Sequence, residues 1–438
     1  MLTEGKGHTM SFSNSTNFFT DQSLVGDPYP YFDYLRSRYP VRRDEASGVV
    51  TVTGYEEALS VYRDTDAFSS CTSVIGPLAG LPFQPEGDDI GALIERYRDQ
   101  IPLSEHMVTF DPPEHTRARG LLSRLITPKR LKENEEFMWR LAERQFDEFL
   151  DRGRCEFLRD YAKPFATLVI ADLLGVPEGD HTAFRSRLAA ASVGAIEDDP
   201  KFSHNPLAFL EAQFTSYIEQ RRREPRDDVL TLLAEAKYPD GSTPEVIDAV
   251  RLATFLFAAG AETTTKLLSA ALHLIADRPG LQHLLREDAS RVPLFIEETL
   301  RMESPVKSDF RLVRKSTTIA GVHVPAGATV LLLPGAANRD PRRFDNPNEF
   351  QLDRRNAREH IAFGRGIHTC PGAPLARAEG RITVEYFLDR ADDIRICEAE
   401  HGPAHARRYD YEPTYQLRGL TELHLEFTPV EREGAVDG

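Results

Sequence analysis

Ten residues near the C-terminus have the types and spacing of a thiolate metal loop. They are Phe363, Gly364, Arg365, Gly366, Ile367, His368, Thr369, Cys370, Pro371 and Gly372, or F-G-x-G-x-H-x-C-x-G. Glycines let the backbone approach a flat ligand and take conformations closed to other residues. A helix-compatible stretch, 373–391, follows the cysteine at once. A helix starting there points its free amide N–H groups and positive dipole end at the sulfur, which favours thiolate over thiol. The remaining cysteines, Cys71, Cys155 and Cys397, are widely spaced, and the absence of any C-x-x-C pair argues against a zinc ribbon. A lone thiolate of this kind suits a single axial bond to haem iron. The competing reading of Cys370 is a small buried hydrophobe, the common fate of a free cysteine.

Three other clusters could do chemistry. His115 and Arg119 are four apart and share one helical face, behind a D-P-P-E start in which Asp111 caps and Glu114 takes the capping-box place. By themselves they read as a surface face. As a buried pair they would be donors for carboxylates. In A-G-A-E-T-T, Ala259 to Thr264, the mid-helix Gly260 costs about 1 kcal/mol relative to alanine. It suggests close approach of something flat, or a local opening. Beside it, Glu262 and Thr263 form an acid–alcohol pair. Cleaving an O–O bond needs two protons delivered in order with water otherwise held out, and such a pair answers that need. The blander reading is a helix cap or a solvated glutamate. Finally, Glu298 and Arg301 lie three apart, close enough for an ion pair on one helical face.

Together these blocks resemble the cytochrome P-450 family, in that family's order along the chain. Arg311 in S-D-F-R, His360 in H-I-A-F-G, the A-N-R-D-P stretch 337–341 and the R-G-L stretch 418–420 extend the similarity to residues 28–428, although 70–105 and 180–225 match little. The resemblance implies a mainly α protein with small β-sheets, the single-domain cytochrome P-450 fold. It implies haem b with Cys370 as the iron ligand, and His115, Arg119, Arg311 and His368 at the propionates. His360 falls near the haem edge, and Phe363 belongs to the signature. Glu262 and Thr263 would be the catalytic proton carriers, while Glu298, Arg301 and Arg354 would form a structural ion triad. The implied activity is that of a monooxygenase inserting one oxygen atom from O2 into a hydrophobic small molecule, whether terpenoid, steroid, fatty acid or aromatic metabolite. The chain has no flavin or iron–sulfur cysteine motif, so electrons from NAD(P)H must come through an external reductase and a ferredoxin-type carrier. A peroxide-driven hydroxylase and a non-catalytic haem-binding sensor are the alternatives, and the intact acid–alcohol pair weighs against both.

The elements that must position these residues are partly legible. The spacing predicts a helix over 243–277, with Thr243 as cap, Pro244 at the first position and a stop at Pro279–Gly280. A second runs from near Pro293 to before Pro305, and helical periodicity dominates 131–152. Short strands are expected at 48–53 and 319–324, and the Asn-Gly hairpin signal is absent. Residues 1–25 are expected to be flexible, 26–430 to form one domain, and 431–438 to be a flexible tail. In the family, the two weakly matching regions roof the substrate pocket. Here they contain Pro77, Leu78, Leu81, Pro82 and Phe83, then Leu188 to Val193, Phe202 and Phe209. Each can equally be a mobile loop or ordinary core.

With 41% hydrophobic and 28% charged residues in 438, the chain can enclose a cofactor in one core. Its net charge of −16 argues against nucleic acid. The apolar runs 255–261 and 330–337 are too short to span a bilayer, so no membrane anchor is expected. Few cysteines fit a reducing cytoplasm, and a monomer is expected. From Arg354 to Arg381, six arginines face only two glutamates, which suggests a basic face for an acidic electron carrier or a solvated helix.

Overall fold

A 31-residue helix, Val246–Ala276, about 46 Å long at 1.5 Å per residue, is the axis of the molecule. It packs against helices Lys163–Leu174, Ala208–Arg223, Val292–Glu303 and Ala373–Arg390. Residues such as Phe146, Phe165, Phe257 and Phe387 fill the spaces between them. The computed structural model describes residues 12, 16–45, 47–78, 80–122, 126–180, 208–238 and 240–430.

The predicted start of the long helix moves by two residues. Glu245, not Thr243, is the cap: its side chain accepts from the backbone of Asp248, and the Asp248 carboxylate accepts from the Glu245 N–H. A reciprocal pair satisfies two orphan donors where Thr243 could satisfy one. The helix carrying His115 spans Glu114–Leu122, and the Asp111 carbonyl accepts the His115 N–H at 2.9 Å. The Asp111 carboxylate accepts from Ser69 Oγ at 2.5 Å and the Ser70 N–H at 2.9 Å, tying the helix start to a segment some forty residues earlier, at the end of a short strand. The helix bearing Glu298 and Arg301 is Val292–Glu303, as expected.

The strands are β1 (Val41–Arg43), β2 (Val50–Val52), β3 (Phe68–Ser69), β4 (Arg154–Glu156), β5 (Asp309–Val313), β6 (Thr317–Ile319), β7 (Val322–Val324), β8 (Thr329–Leu332), β9 (Ala391–Ile396) and β10 (His424–Pro429). They form a five-stranded sheet in the order β1-β2-β8-β5-β3, a three-stranded sheet β4-β10-β9 and the hairpin β6-β7. Only the β2–β8 pairing is parallel within the large sheet. The single strand expected at 319–324 is in fact a turn and the second arm of that hairpin. Ala320 and Gly321, at φ +48° and +84°, make the two-residue turn without Asn-Gly.

Packing reaches into the N-terminal segment: Phe18 and Leu24 are buried in one cluster with Phe32, Phe310 and Tyr415. In the first region read as a pocket roof, Phe83 is buried, stacking on Tyr97 with ring centroids 5.5 Å apart, whereas Leu78 is exposed. In the second region, Leu188 to Val193 and Phe202 lie outside the described residues, as do the side chain of Phe209 and the tail 431–438.

Candidate functional site

The cysteine loop is shaped by its glycines. Gly364 and Gly366 take φ of +66° and +75°. A Cβ on Gly366 would sit 2.4 Å from the carbonyl oxygen of Tyr62, so no other residue fits the contact with helix Tyr55–Arg63. The loop closes through the Cys370 N–H, which donates to the Phe363 carbonyl at 2.9 Å. Helix Ala373–Arg390 then begins three residues after the cysteine. Burial pushes the Cys370 thiol up, while the N–H groups of Gly372 and Ala373, and the Arg119 guanidinium, pull it back. The donors expected of the helix start are therefore in place, but burial outweighs them. A metal cation at the sulfur would supply the missing positive charge.

Next to the loop, the His115 and His368 rings lie 4.1 Å apart. Both His115 nitrogens and His368 Nε2 are buried without a hydrogen-bond partner among the described residues. Burial, then Arg119, lowers His115 to about 4; burial, then Arg311, His115 and Arg119, lowers His368 to about 2. Arg119 donates to the Thr369 carbonyl at 2.6 Å, and Arg311 pairs with Asp309 at 3.0 Å. The fold thus brings His115, Arg119, Arg311, His368 and Cys370 together. Buried imidazole nitrogens without a partner, near two guanidiniums, are an unfinished arrangement that carboxylates would complete. This donor set fits the propionates of haem, and Cys370 has the chemistry of a ligand to its iron.

His360 does not join that cluster. Its Nε2 lies 3.0 Å from Glu297 Oε2, and its Nδ1 accepts from the Ala362 N–H at 3.2 Å. Both nitrogens are used within the protein, so His360 braces the loop and has no hydrogen bond left for a cofactor. Glu297 also receives Arg377 at 2.6 Å. Burial opposes the charge of Glu297, but His360 and Arg377 outweigh it and hold the carboxyl at about 2. Arg377 in turn lies over the Phe363 ring, 4.7 Å from its centroid. Sequence reasoning missed Glu297, although it stands beside Glu298 in E-E-T-L-R. Consecutive helical residues point about 100° apart, so the two serve different partners. Glu298 is fully buried and takes Arg301 at 2.7 Å and Arg354 at 2.9 Å, the expected triad.

On the long helix, Thr263 Oγ1 donates to the Ala259 carbonyl at 2.8 Å. Ala259 is exposed, and Gly260, Glu262 and Thr263 are partly so, between turns that are largely buried. On the protein side, Gly260 sits close to a neighbouring helix. What a Cβ there would meet is Ile170 of helix Lys163–Leu174, at 3.4 Å. The helix is continuous through this point. Burial raises Glu262 above the usual carboxylate range, against the pull of Lys266, whose Nζ lies 3.3 Å away. Lys266 was not foreseen from sequence.

An open groove of about 520 Å³ lined by Arg152, Arg154, Arg395 and Glu426 is a separate feature. It lies at the small sheet, and helix Ala373–Arg390, about 27 Å long, separates β9 from the cysteine loop.

The family model described as Cytochrome P450 matches residues 201–391. Cytochrome P450 144 of Mycobacterium tuberculosis is 33% identical over 395 residues, 89% of this chain and 88% of that one. Cytochrome P450 monooxygenase PikC of Streptomyces venezuelae is 31% identical over 412 residues, 93% of this chain and 92% of that one. Among solved structures, substrate-free cytochrome P450 CYP150A6 of Mycobacterium marinum aligns with a TM-score of 0.90 and 63% identity, covering 95% of this chain and 100% of that one. Likeness of this extent takes in the helices and sheets that hold the cysteine loop as well as the loop itself, and the chain belongs to the cytochrome P450 family.

Proposed function

We propose that this oxygen-incorporating oxidoreductase inserts one atom of O2 into a hydrophobic small molecule, with electrons passing from NAD(P)H through an external reductase and a ferredoxin-type carrier. Haem b held through Cys370 would supply oxygen binding and the electron push toward O–O cleavage. His115, His368, Arg119 and Arg311 would hold its carboxylates. Glu262 would carry a proton at its carboxyl, and Thr263 would pass one through Oγ1.

The observation that carries this reading is the acid–alcohol pair on the partly open stretch of a long, largely buried helix. Three parallel incubations test it, using a ligand that shifts the haem absorption band. One contains NAD(P)H, reductase and ferredoxin; one contains peroxide alone; one contains neither. The expected result is oxygenated product in the first, labelled when the gas is ¹⁸O₂. Product with peroxide alone would mean a peroxide-driven hydroxylase. Haem binding without product in any arm would mean a sensor.

A further inference from the structure

Lys266 lies one helical turn beyond Glu262 and is almost wholly buried. Its ammonium is shared. Nζ lies 2.5 Å from Glu412 Oε2 and 3.3 Å from Glu262 Oε1. Glu412 comes from the C-terminal loop, more than a hundred residues away, and that loop is built around the lysine. The Glu412 N–H donates to the Gly419 carbonyl at 3.0 Å, closing the loop. A Cβ on Gly419 would come within 2.5 Å of Lys266 Cγ, so glycine makes room for the lysine stem.

A buried ammonium needs compensation, and one carboxylate would provide it. Here two carboxylates compete for one cation, and the nearer of them is not the one on the long helix. We propose that Lys266 and Glu412 are positioning residues for proton delivery: Lys266 divides its ammonium between two carboxylates, and Glu412 sets how much of it Glu262 keeps. This rests on the reading of Glu262 as a proton carrier. The charged groups acting on Glu262 are Lys266 on its own helix, Glu412 from the loop and Lys163 at the start of helix Lys163–Leu174. Burial and Glu412 favour its protonated form, while Lys266 and Lys163 favour the carboxylate. Drawn toward Glu412, Lys266 leaves Glu262 free to take a proton; released, it pulls Glu262 back to the charged form.

The two partners therefore have opposite signs, which a merely structural role would not produce. The test is infrared spectroscopy of the haem-loaded protein across pH. It follows the carboxylic acid C=O band that Glu262→Gln removes. Lys266→Met should move the midpoint of that band to higher pH, and Glu412→Gln should move it to lower pH. Midpoints that stay put, or move in the same direction, overturn the proposal. Haem-to-protein ratio and the reduced carbon monoxide spectrum confirm that each variant is folded. If Lys266→Met does not fold, Glu412→Gln decides alone, because Glu412 is partly exposed and the change is conservative; an unchanged or raised midpoint overturns the proposal. Product formed per NAD(P)H in Glu262→Gln is a separate measurement. Undiminished coupling there would remove the proton-carrier reading while leaving the charge sharing to be judged on the infrared midpoints.

Discussion

Thr263 is satisfied within its own helix, since its hydroxyl donates to the Ala259 carbonyl. Such back-bonding adds little stability and often bends a helix slightly. Thr263→Ala is therefore expected to change stability by about 1 kcal/mol or less and to leave haem content intact. Product per NAD(P)H should fall about tenfold, a modest effect for a positioned proton group because water can replace an alcohol. Unchanged coupling would take Thr263 out of the proton path. Glu297 offers a pH test beside the cysteine loop. Its folded carboxyl, at about 2, lies below the roughly 4.3 of an unfolded glutamate. A depressed carboxylate contributes stability that is full above the unfolded value and is lost as pH falls toward the folded one. The wild-type protein should thus lose melting temperature between about pH 4.3 and 2 more steeply than Glu297→Gln does. Parallel melting curves would refute that assignment. Spacing alone could not distinguish Glu297 from Glu298, because both partners of Glu297, His360 and Arg377, are brought to it only by the fold.

At the scale of elements, the buried ion triad joins helix Val292–Glu303 to the segment leading to the cysteine loop. Arg301 also donates to the carbonyls of Asn338 and Pro347, and Arg354 to those of Asp345 and Glu349. Two guanidiniums thus hold a meander of irregular backbone whose carbonyls would otherwise go unpaired. Arg301→Ala would leave the completely buried Glu298 with only one of its two cations, Arg354, and take the donors from the carbonyls that Arg301 holds, at a cost of about 3 kcal/mol. The expected outcome is a low haem-to-protein ratio and a lowered melting temperature; a fully loaded, stable variant would rule out the structural role. The triad was legible from sequence because helical spacing and the family resemblance agreed. Elements were legible where one local rule decided them, as with Val292–Glu303 and its prolines. They were misplaced where two rules competed. Glu245 won the cap from Thr243 because Asp248 answered it, and the Asp111 carboxylate was taken by Ser69 and Ser70, leaving its carbonyl to the helix start. The hairpin escaped notice because Ala320 accepts a positive φ that asparagine would normally supply.

Across the whole molecule, a charge of −16 makes any basic face conspicuous to a charged partner. The run of arginines from 354 to 381 is less available than its count suggests. Arg354 is committed to Glu298, Arg377 to Glu297, and Arg381 to Glu135 and Glu385. Arg365 donates to the carbonyls of Glu359 and His360. Arg365 and Arg377, the arginines closest to the cysteine in sequence, are therefore poor probes of docking, since reversing either charge would disturb the loop that holds Cys370. Arg355 and Arg358 are exposed, and Arg358 reaches Glu297 only at 4.0 Å. If an acidic ferredoxin docks on this face, these two carry the attraction. Exposed charges act over a screening length of about 8 Å at physiological ionic strength, so the first electron transfer should slow as salt rises. Arg358→Glu should slow it about tenfold at low salt, and the gap should close at high salt, while the substrate-induced shift of the haem band stays as in the wild type. Rapid-mixing reduction rates across a salt series measure both effects. A rate indifferent to salt and to the reversed charge would mean that electrons enter elsewhere, and that this arginine run serves only to brace the cysteine loop.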